Sequence, residues 1–171
     1  MNYKQKLANV TTFMFDVDGV LTDGNVYLFQ NEVVRSLNSR DGYALQYASK
    51  LGYDIYIITG GNSVSVKDRL LGLGAKEVFL QSKNKLEVYN HIIERENLKD
   101  EEVLYMGDDI PDFEVMRKAG VSACPQDAAV EIKEISHYQS PYAGGKHCVR
   151  DLIEQTLRVQ GKWFGELSLE W

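Results

Sequence analysis

An α/β fold built on one open parallel sheet, with helices on both faces, is what this 171-residue sequence predicts. Three observations carry that reading. Short apolar runs of strand length alternate with stretches of helical pattern along the chain. The runs end in polar residues capable of chemistry, at Asp16, Thr59 and Asp108. Only one segment, soon after the first run, breaks the alternation.

The first run, Val10–Asp16, contains Phe13-Met14-Phe15 and stops abruptly at Asp16-Val17-Asp18-Gly19, a pair of aspartates with a turn glycine. The interrupting segment, from Asn25 to Leu37, pairs Val26-Tyr27-Leu28-Phe29 with Val33-Val34 across the turn-like Gln30-Asn31-Glu32, and reads as a projecting β-hairpin. A helical pattern follows over Tyr43–Leu51. Strands are then expected at Asp54–Thr59, Val78–Leu80, Val103–Gly107 and Val121–Ala123, separated by helices at Ser63–Leu73, Lys85–Glu96 and Asp112–Lys118. This is the Rossmann-like βαβα order, in which ligands bind outside the carboxyl ends of the strands. Asp16, Thr59 and Asp108 should therefore meet at one edge. Between Asp18 and Thr59 the hairpin and one helix use up the chain, leaving no room for a separate lid domain. Past Ala143-Gly144-Gly145-Lys146 come a helix near Cys148–Val159 and a tail, Lys162–Trp171, rich in apolar side chains that should dock on something. Residues 1–171 read as a single domain with the hairpin, 25–37, as a minimal cap.

At 44% hydrophobic and 26% charged, the chain has the composition of one well-buried core. A formal charge of -6 argues against nucleic-acid or acidic-membrane partners, which reward a basic surface. Cys124 and Cys148 are too few and too far apart for a disulfide framework or zinc site and read as buried fillers in a reducing compartment. The polar N-terminal residues lack a signal-type apolar core, and no apolar run approaches membrane-spanning length. A cytoplasmic protein is expected.

Two carboxylates at the end of a core strand repel each other, and each is expensive to bury unpaired, so a cation is expected to hold them. Alone, the Asp-Val-Asp pair proves little, because an aspartate closing a strand can simply cap the next turn. Thr59-Gly60 alone is a plain turn, and Lys85 alone a solvated helix residue. Together the picture changes. Asp16-Val17-Asp18-Gly19, Ile57-Ile58-Thr59-Gly60-Gly61, Asn84-Lys85 and Met106-Gly107-Asp108-Asp109-Ile110-Pro111-Asp112 occur in that order, three of them at strand ends. They resemble the four motifs of the haloacid dehalogenase superfamily of phosphohydrolases.

The resemblance implies a phosphatase of that fold, with Mg2+ as cofactor. Asp16 would be the nucleophile that forms an aspartyl-phosphate, and Asp18 the acid/base. The metal would be held by Asp16, the backbone carbonyl of Asp18, and Asp108, a set of hard oxygen donors. Thr59 and Gly60 would bind phosphate oxygens and Lys85 would offset transition-state charge, with Lys83 a rival. Asp112 would orient Lys85, and Asp109 would support the metal shell. His91, His137 and His147 match no motif and read as surface or packing residues.

The resemblance also narrows. Asp18–Gly24, Ser39-Arg40-Asp41-Gly42-Tyr43, Gly107-Asp108-Asp109 and Ala143-Gly144-Gly145 followed by Val149-Arg150 are similar to a small capless group, from about Val10 to Trp163. That group comprises the 3-deoxy-D-manno-octulosonate 8-phosphate phosphatases of lipopolysaccharide precursor synthesis and relatives acting on nine-carbon ulosonate 9-phosphates. It implies a small sugar-acid phosphate as substrate and a homotetramer in which hairpins roof neighbouring sites. Arg40, Asp41, Arg69 and Lys146 are the candidate carboxylate or sugar contacts, each with a surface salt bridge as the plainer reading. One position departs: octulosonate phosphatases typically follow threonine-glycine with arginine, and here Gly61-Asn62 stands instead. A nine-carbon substrate is the alternative within enzymes. A non-catalytic oligomerisation module of the same fold is opposed by intact Asp18, Thr59 and Lys85. A phospho-accepting receiver is opposed by Asp18, which sits where it can activate water.

Overall fold

The structure, a computed structural model, describes residues 2–171. Six parallel strands form one sheet: β1 (Thr12–Phe15), β4 (Asp54–Ile58), β5 (Glu77–Phe79), β6 (Val103–Met106), β7 (Val121–Cys124) and β8 (Tyr138–Gln139). Their spatial order is β5-β4-β1-β6-β7-β8, so the chain builds one side of β1 first and then reverses to build the other. β2 (Tyr27–Phe29) and β3 (Glu32–Val34) make the expected antiparallel hairpin outside that sheet, with Tyr27 opposite Val34.

The pleat explains why helices are needed on both faces. Phe13 and Phe15 of β1, Ile55 and Ile57 of β4, and Leu104 and Met106 of β6 enter one apolar cluster, while Met14, Tyr56, Ile58, Val103 and Tyr105 enter the other. The first cluster is covered by α1 (Tyr3–Leu7), α2 (Ser39–Lys50), α3 (Val64–Gly72) and α7 (Cys148–Val159). The second lies under α4 (Lys85–Glu96), α5 (Phe113–Lys118) and α6 (Val130–Ile135). Both faces are apolar, so the strands read as nearly continuous apolar runs.

Three short elements escape the sequence reading: α1, α6 and β8 are too short to show a period. α2 begins at Ser39, earlier than its apolar pattern, because the Asn38 side chain accepts from the N–H groups of Arg40 and Asp41. The expected Asp112–Lys118 helix is α5, which starts one residue later, at Phe113, directly after a tight turn over Ile110–Asp112.

The tail docks on its own chain. Tyr47 donates to the Lys162 carbonyl at 2.9 Å and accepts from the Gly165 N–H at 3.1 Å, and Tyr43 donates to the Ser168 carbonyl. Trp163 meets Tyr47 edge-on and lies beneath Arg150 and Arg158. Docking is incomplete: Leu169 remains 79% exposed, as do Leu28 (78%) and Phe29 (65%) on the hairpin.

Two loops that frame the β1 carboxyl end are packed backbone to backbone. Gly145 donates to the Val20 carbonyl at 2.9 Å, and a Cβ at Gly144 would lie 2.0 Å from the Gly19 carbonyl oxygen. Gly144→Ala should therefore push the loop after β1 aside and cost about 1–3 kcal/mol, read by denaturant unfolding. Gly72→Ala, at the open end of α3 with nothing within 4 Å, should be neutral or slightly stabilising in the same assay.

Candidate active site

Parallel neighbours place their carboxyl ends side by side, about 4.8 Å apart. β1 lies between β4 and β6, so the residues that follow them, Asp16, Thr59 and Gly107-Asp108, meet where the strand order reverses. Asp16, Thr59 and Asp108 line a cavity of about 440 Å³ together with Asp18, Gly60, Lys85, Asp109 and Asp112. Gly61, Ser82, Lys83 and Pro111 also contribute to its wall.

Lys85 is the hub. As the first residue of α4 it is buried, and its ammonium lies 2.9 Å from Asp16 Oδ2 and 2.7 Å from Asp112 Oδ1. Burial alone would lower its pKa, but the two carboxylates outweigh that and raise it, so the ammonium stays charged. Lys83 is exposed at the rim, away from this pairing.

The acids are not equivalent. Asp112 is saturated: Oδ1 accepts from Lys85 and from the Tyr105 hydroxyl at 2.6 Å, and Oδ2 from the N–H groups of Asp108 and Asp109 at 3.1 and 3.4 Å. Asp16 accepts the Val17 N–H at 2.6 Å besides pairing with Lys85. Asp108 has less: its Oδ1 is buried without any partner. One oxygen from each of Asp16, Asp108 and Asp112 falls within 4.8 Å of the others.

Burial, then the Asp112 charge, pushes Asp16 up to about 7 against the pull of Lys85. Burial, then Asp16 and Asp112, pushes Asp108 up to about 8. Three carboxylates face one ammonium, and the surplus of two negative charges matches a divalent cation. The oxygens left to receive it belong to Asp16 and Asp108, since Asp112 has no lone pair to spare. All are hard oxygen donors, which suit Mg2+.

The local conformation fits this crowding. Asp18 and Gly19 form a type II turn, with Gly19 at φ 84°. A Cβ there would lie 1.9 Å from Asp108 Oδ2, so only glycine lets the β1 and β6 loops close on each other. On the other side, Thr59 is buried and its Oγ1 accepts the Gly61 N–H at 3.1 Å, which pins the loop that carries Gly60. Asp109 is exposed and caps the following turn through the Ile110 N–H at 2.8 Å.

The four candidate substrate contacts are not brought to this cavity. Asp41 is buried and accepts the backbone N–H of Arg150 at 2.8 Å, tying α2 to α7. Arg40 lines a second polar cavity with Tyr142, His147, Arg150, Asp151 and Glu154. Arg69 reaches toward Gly42, and Lys146 is exposed beside Asp23. The reason is placement: α2 and α3 contribute no residue to the cavity wall, and the 143–146 loop meets the loop after β1 through the backbone of Gly144 and Gly145.

One contact was missed from the sequence. Arg35, just beyond β3, pairs with Asp18 through Nε–Oδ1 at 2.6 Å and Nη2–Oδ2 at 3.0 Å. The signal was available in the hairpin: pairing Tyr27 with Val34 returns residue 35 to the loop from which the hairpin departs.

The chain is similar in sequence and fold to known proteins. Residues 32–120 match the haloacid dehalogenase-like hydrolase family. The chain is 35% identical over 158 residues to the 3-deoxy-D-manno-octulosonate 8-phosphate phosphatase KdsC of Escherichia coli K12, covering 92% of this chain and 84% of that one. The crystal structure of the Yersinia pestis 3-deoxy-D-manno-octulosonate 8-phosphate phosphatase superposes with a TM-score of 0.92 at 32% identity, over 95% and 88% of the two chains. That of Moraxella catarrhalis, in complex with magnesium, phosphate and KDO, superposes with a TM-score of 0.91 at 27% identity, over 94% and 92%. The chain belongs to the haloacid dehalogenase-like hydrolases, as a relative of their 3-deoxy-D-manno-octulosonate 8-phosphate phosphatases.

Proposed function

We propose that the chain, as one domain, is a Mg2+-dependent phosphomonoester hydrolase acting on 3-deoxy-D-manno-octulosonate 8-phosphate, through an aspartyl-phosphate. The observation that carries this is the Asp16–Lys85–Asp112–Asp108 cluster, whose charge and orphaned Asp108 oxygen call for a divalent cation. The likeness to phosphatases of that ester over most of the chain supports the substrate.

Asp16, the backbone carbonyl of Asp18, and Asp108 would hold the metal. When bound, Mg2+ lowers the repulsion between an anionic nucleophile and an anionic ester. Asp16 attacks phosphorus as the ester P–O bond breaks, and Asp18 gives its proton to the departing alcohol. Asp18 then takes a proton from the water that splits the aspartyl-phosphate, returning Asp16 as a carboxylate and releasing inorganic phosphate. The Thr59 hydroxyl, the Gly60 N–H and Lys85 steady the phosphoryl oxygens. Asp112 fixes Lys85 in place, and Asp109 shapes the mouth.

We assign the protein to the cytoplasm, in lipopolysaccharide precursor synthesis; none of its helices is long and apolar enough to cross a membrane among the described residues. The exposed apolar side chains of the hairpin and tail support a homo-oligomer, a tetramer in the proposed reading, with hairpins as roofs for neighbouring sites. Arg40 and Lys146 would then serve across such a contact. A nine-carbon ulosonate 9-phosphate is a second reading, favoured by Gly61 in place of arginine, which removes one bidentate carboxylate partner.

A phosphate-release screen with Mg2+ over eight- and nine-carbon ulosonate phosphates separates the two readings. Preference for the eight-carbon ester is expected, and equal turnover of p-nitrophenyl phosphate would defeat both. Asp16→Asn should lose roughly 10⁴-fold or more in kcat with Tm held or raised, since it removes one of the crowded charges. Retained turnover in that variant excludes the covalent route.

Folding also carries a pH signature. In the folded, metal-free chain Asp16 and Asp108 keep protons up to about 7 and about 8, whereas in the unfolded chain they lose them near 3.8. Between those values the folded state binds more protons, so their contribution to stability declines as pH rises through that window. Mg2+ binds the ionised pair. It should therefore raise Tm more at about pH 8.5 than at about pH 6, and an equal shift at both would contradict the assignment of the metal to these carboxylates.

A further inference from the structure

The hairpin does more than project. Arg35 places a guanidinium fork on Asp18, taking one of its carboxylate oxygens with Nε and the other with Nη2. Two-pronged pairs of this kind are among the stronger polar contacts in proteins. With the fork in place, both carboxylate oxygens of the proposed acid/base are engaged by the guanidinium. The third nitrogen, Nη1, is buried and has no hydrogen-bond partner, which marks the clamp as incompletely satisfied.

The opposite wall explains why the guanidinium fits. At Gly61 a Cβ would stand 3.5 Å from Arg35 Nη2 and 3.8 Å from Asp18 Oδ2, so a longer side chain there would compete for the same space. The other buried cation of the site, Lys85, is committed to Asp16 and Asp112. The phosphoryl group has its own proposed donors in Thr59, Gly60 and Lys85. Arg35 is thus left for a second anion.

We propose that Arg35 is a partner-switching clamp that reads the carboxylate of the substrate. Without substrate it holds Asp18. When a sugar-acid phosphate enters, its carboxylate takes over the fork, the hairpin is drawn down on the ligand, and Asp18 is released toward the ester oxygen. One carboxylate replaces another of the same chemistry, so the exchange sacrifices little interaction energy. A phosphate ester without a carboxylate has nothing to exchange and leaves Asp18 held, which is discrimination by induced fit. This inference rests on the sugar-acid phosphatase reading above.

Steady-state kinetics of the full chain with Mg2+ test it, using Arg35→Met and Arg35→Lys on two alkyl esters: an ulosonate phosphate and a hexose 6-phosphate that lacks a carboxylate. In Arg35→Met the ratio of kcat/KM between acid and plain sugar should fall about tenfold or more. KM should rise for the acid, and kcat should rise for the plain sugar because Asp18 is no longer held. Arg35→Lys, which keeps the charge but not the fork, should recover part of the ratio. An unchanged ratio overturns the clamp, as does an equal fall of kcat on both esters, which would make Arg35 a positioning residue for Asp18. If the wild-type chain itself fails to prefer the acid, the substrate reading falls and the clamp with it. If the wild-type chain prefers the acid and both variants keep that preference, only the clamp falls.

Discussion

Everything at this site depends on crowding three carboxylates around one buried ammonium. Asp16, Asp108 and Asp112 converge because β1 and β6 are neighbours and their carboxyl-end loops close through Gly19. Lys85 holds two of the three, and the remaining charge has no protein partner, as the orphaned Asp108 oxygen shows. Burial first, and then this excess of negative charge, drives Asp16 and Asp108 toward their protonated forms, far above ordinary carboxylates. The same strain makes the place a receiver for a small divalent cation. The fold carries it because the surrounding strands are held by two large apolar clusters that gain nothing from the acids.

The periphery of the site is built from parts that look unrelated in the chain. The 143–145 loop reaches the loop after β1 so closely that glycine is required, and α7 begins immediately behind it. Asp41, at the start of α2, accepts the Arg150 N–H at the start of α7, so the helices on that face are joined by a buried carboxylate. Gly144 packs against Gly19, on the turn that follows the aspartates of the first motif and borders the cavity. The hairpin is different. Its apolar side chains are exposed, and its link to the active site is the Arg35–Asp18 pair.

That difference bears on specificity. In the proposed reading, a rigid sheet edge would present Thr59, Gly60, Asp16 and Lys85 to a phosphoryl group in much the same way whatever alcohol it carries. In that reading, choice among esters would come from groups that can move, of which the hairpin, through Arg35, is the one paired with an aspartate of the cavity. Gly61 fits this view: by carrying no side chain it leaves the space beside Asp18 to Arg35.

The α/β class, the hairpin, and the meeting of Asp16, Thr59 and Asp108 at one edge were legible in the sequence. Strand-length apolar runs and the polar residues ending them are local signals, and parallel strand order carries those ends to the same side. Lys85 was legible through its motif, although nothing local distinguishes it from a solvated lysine. Tertiary structure alone decided the division of labour among the acids: Asp112 is saturated by Tyr105, Lys85 and two backbone N–H groups, while Asp108 is left open. It also withheld Arg40, Asp41, Arg69 and Lys146 from the cavity, and it brought Arg35 onto Asp18 at its edge. The physical reason is that periodicity reports which face of an element is apolar, whereas the reach of a long polar side chain depends on how elements far apart in the chain are packed.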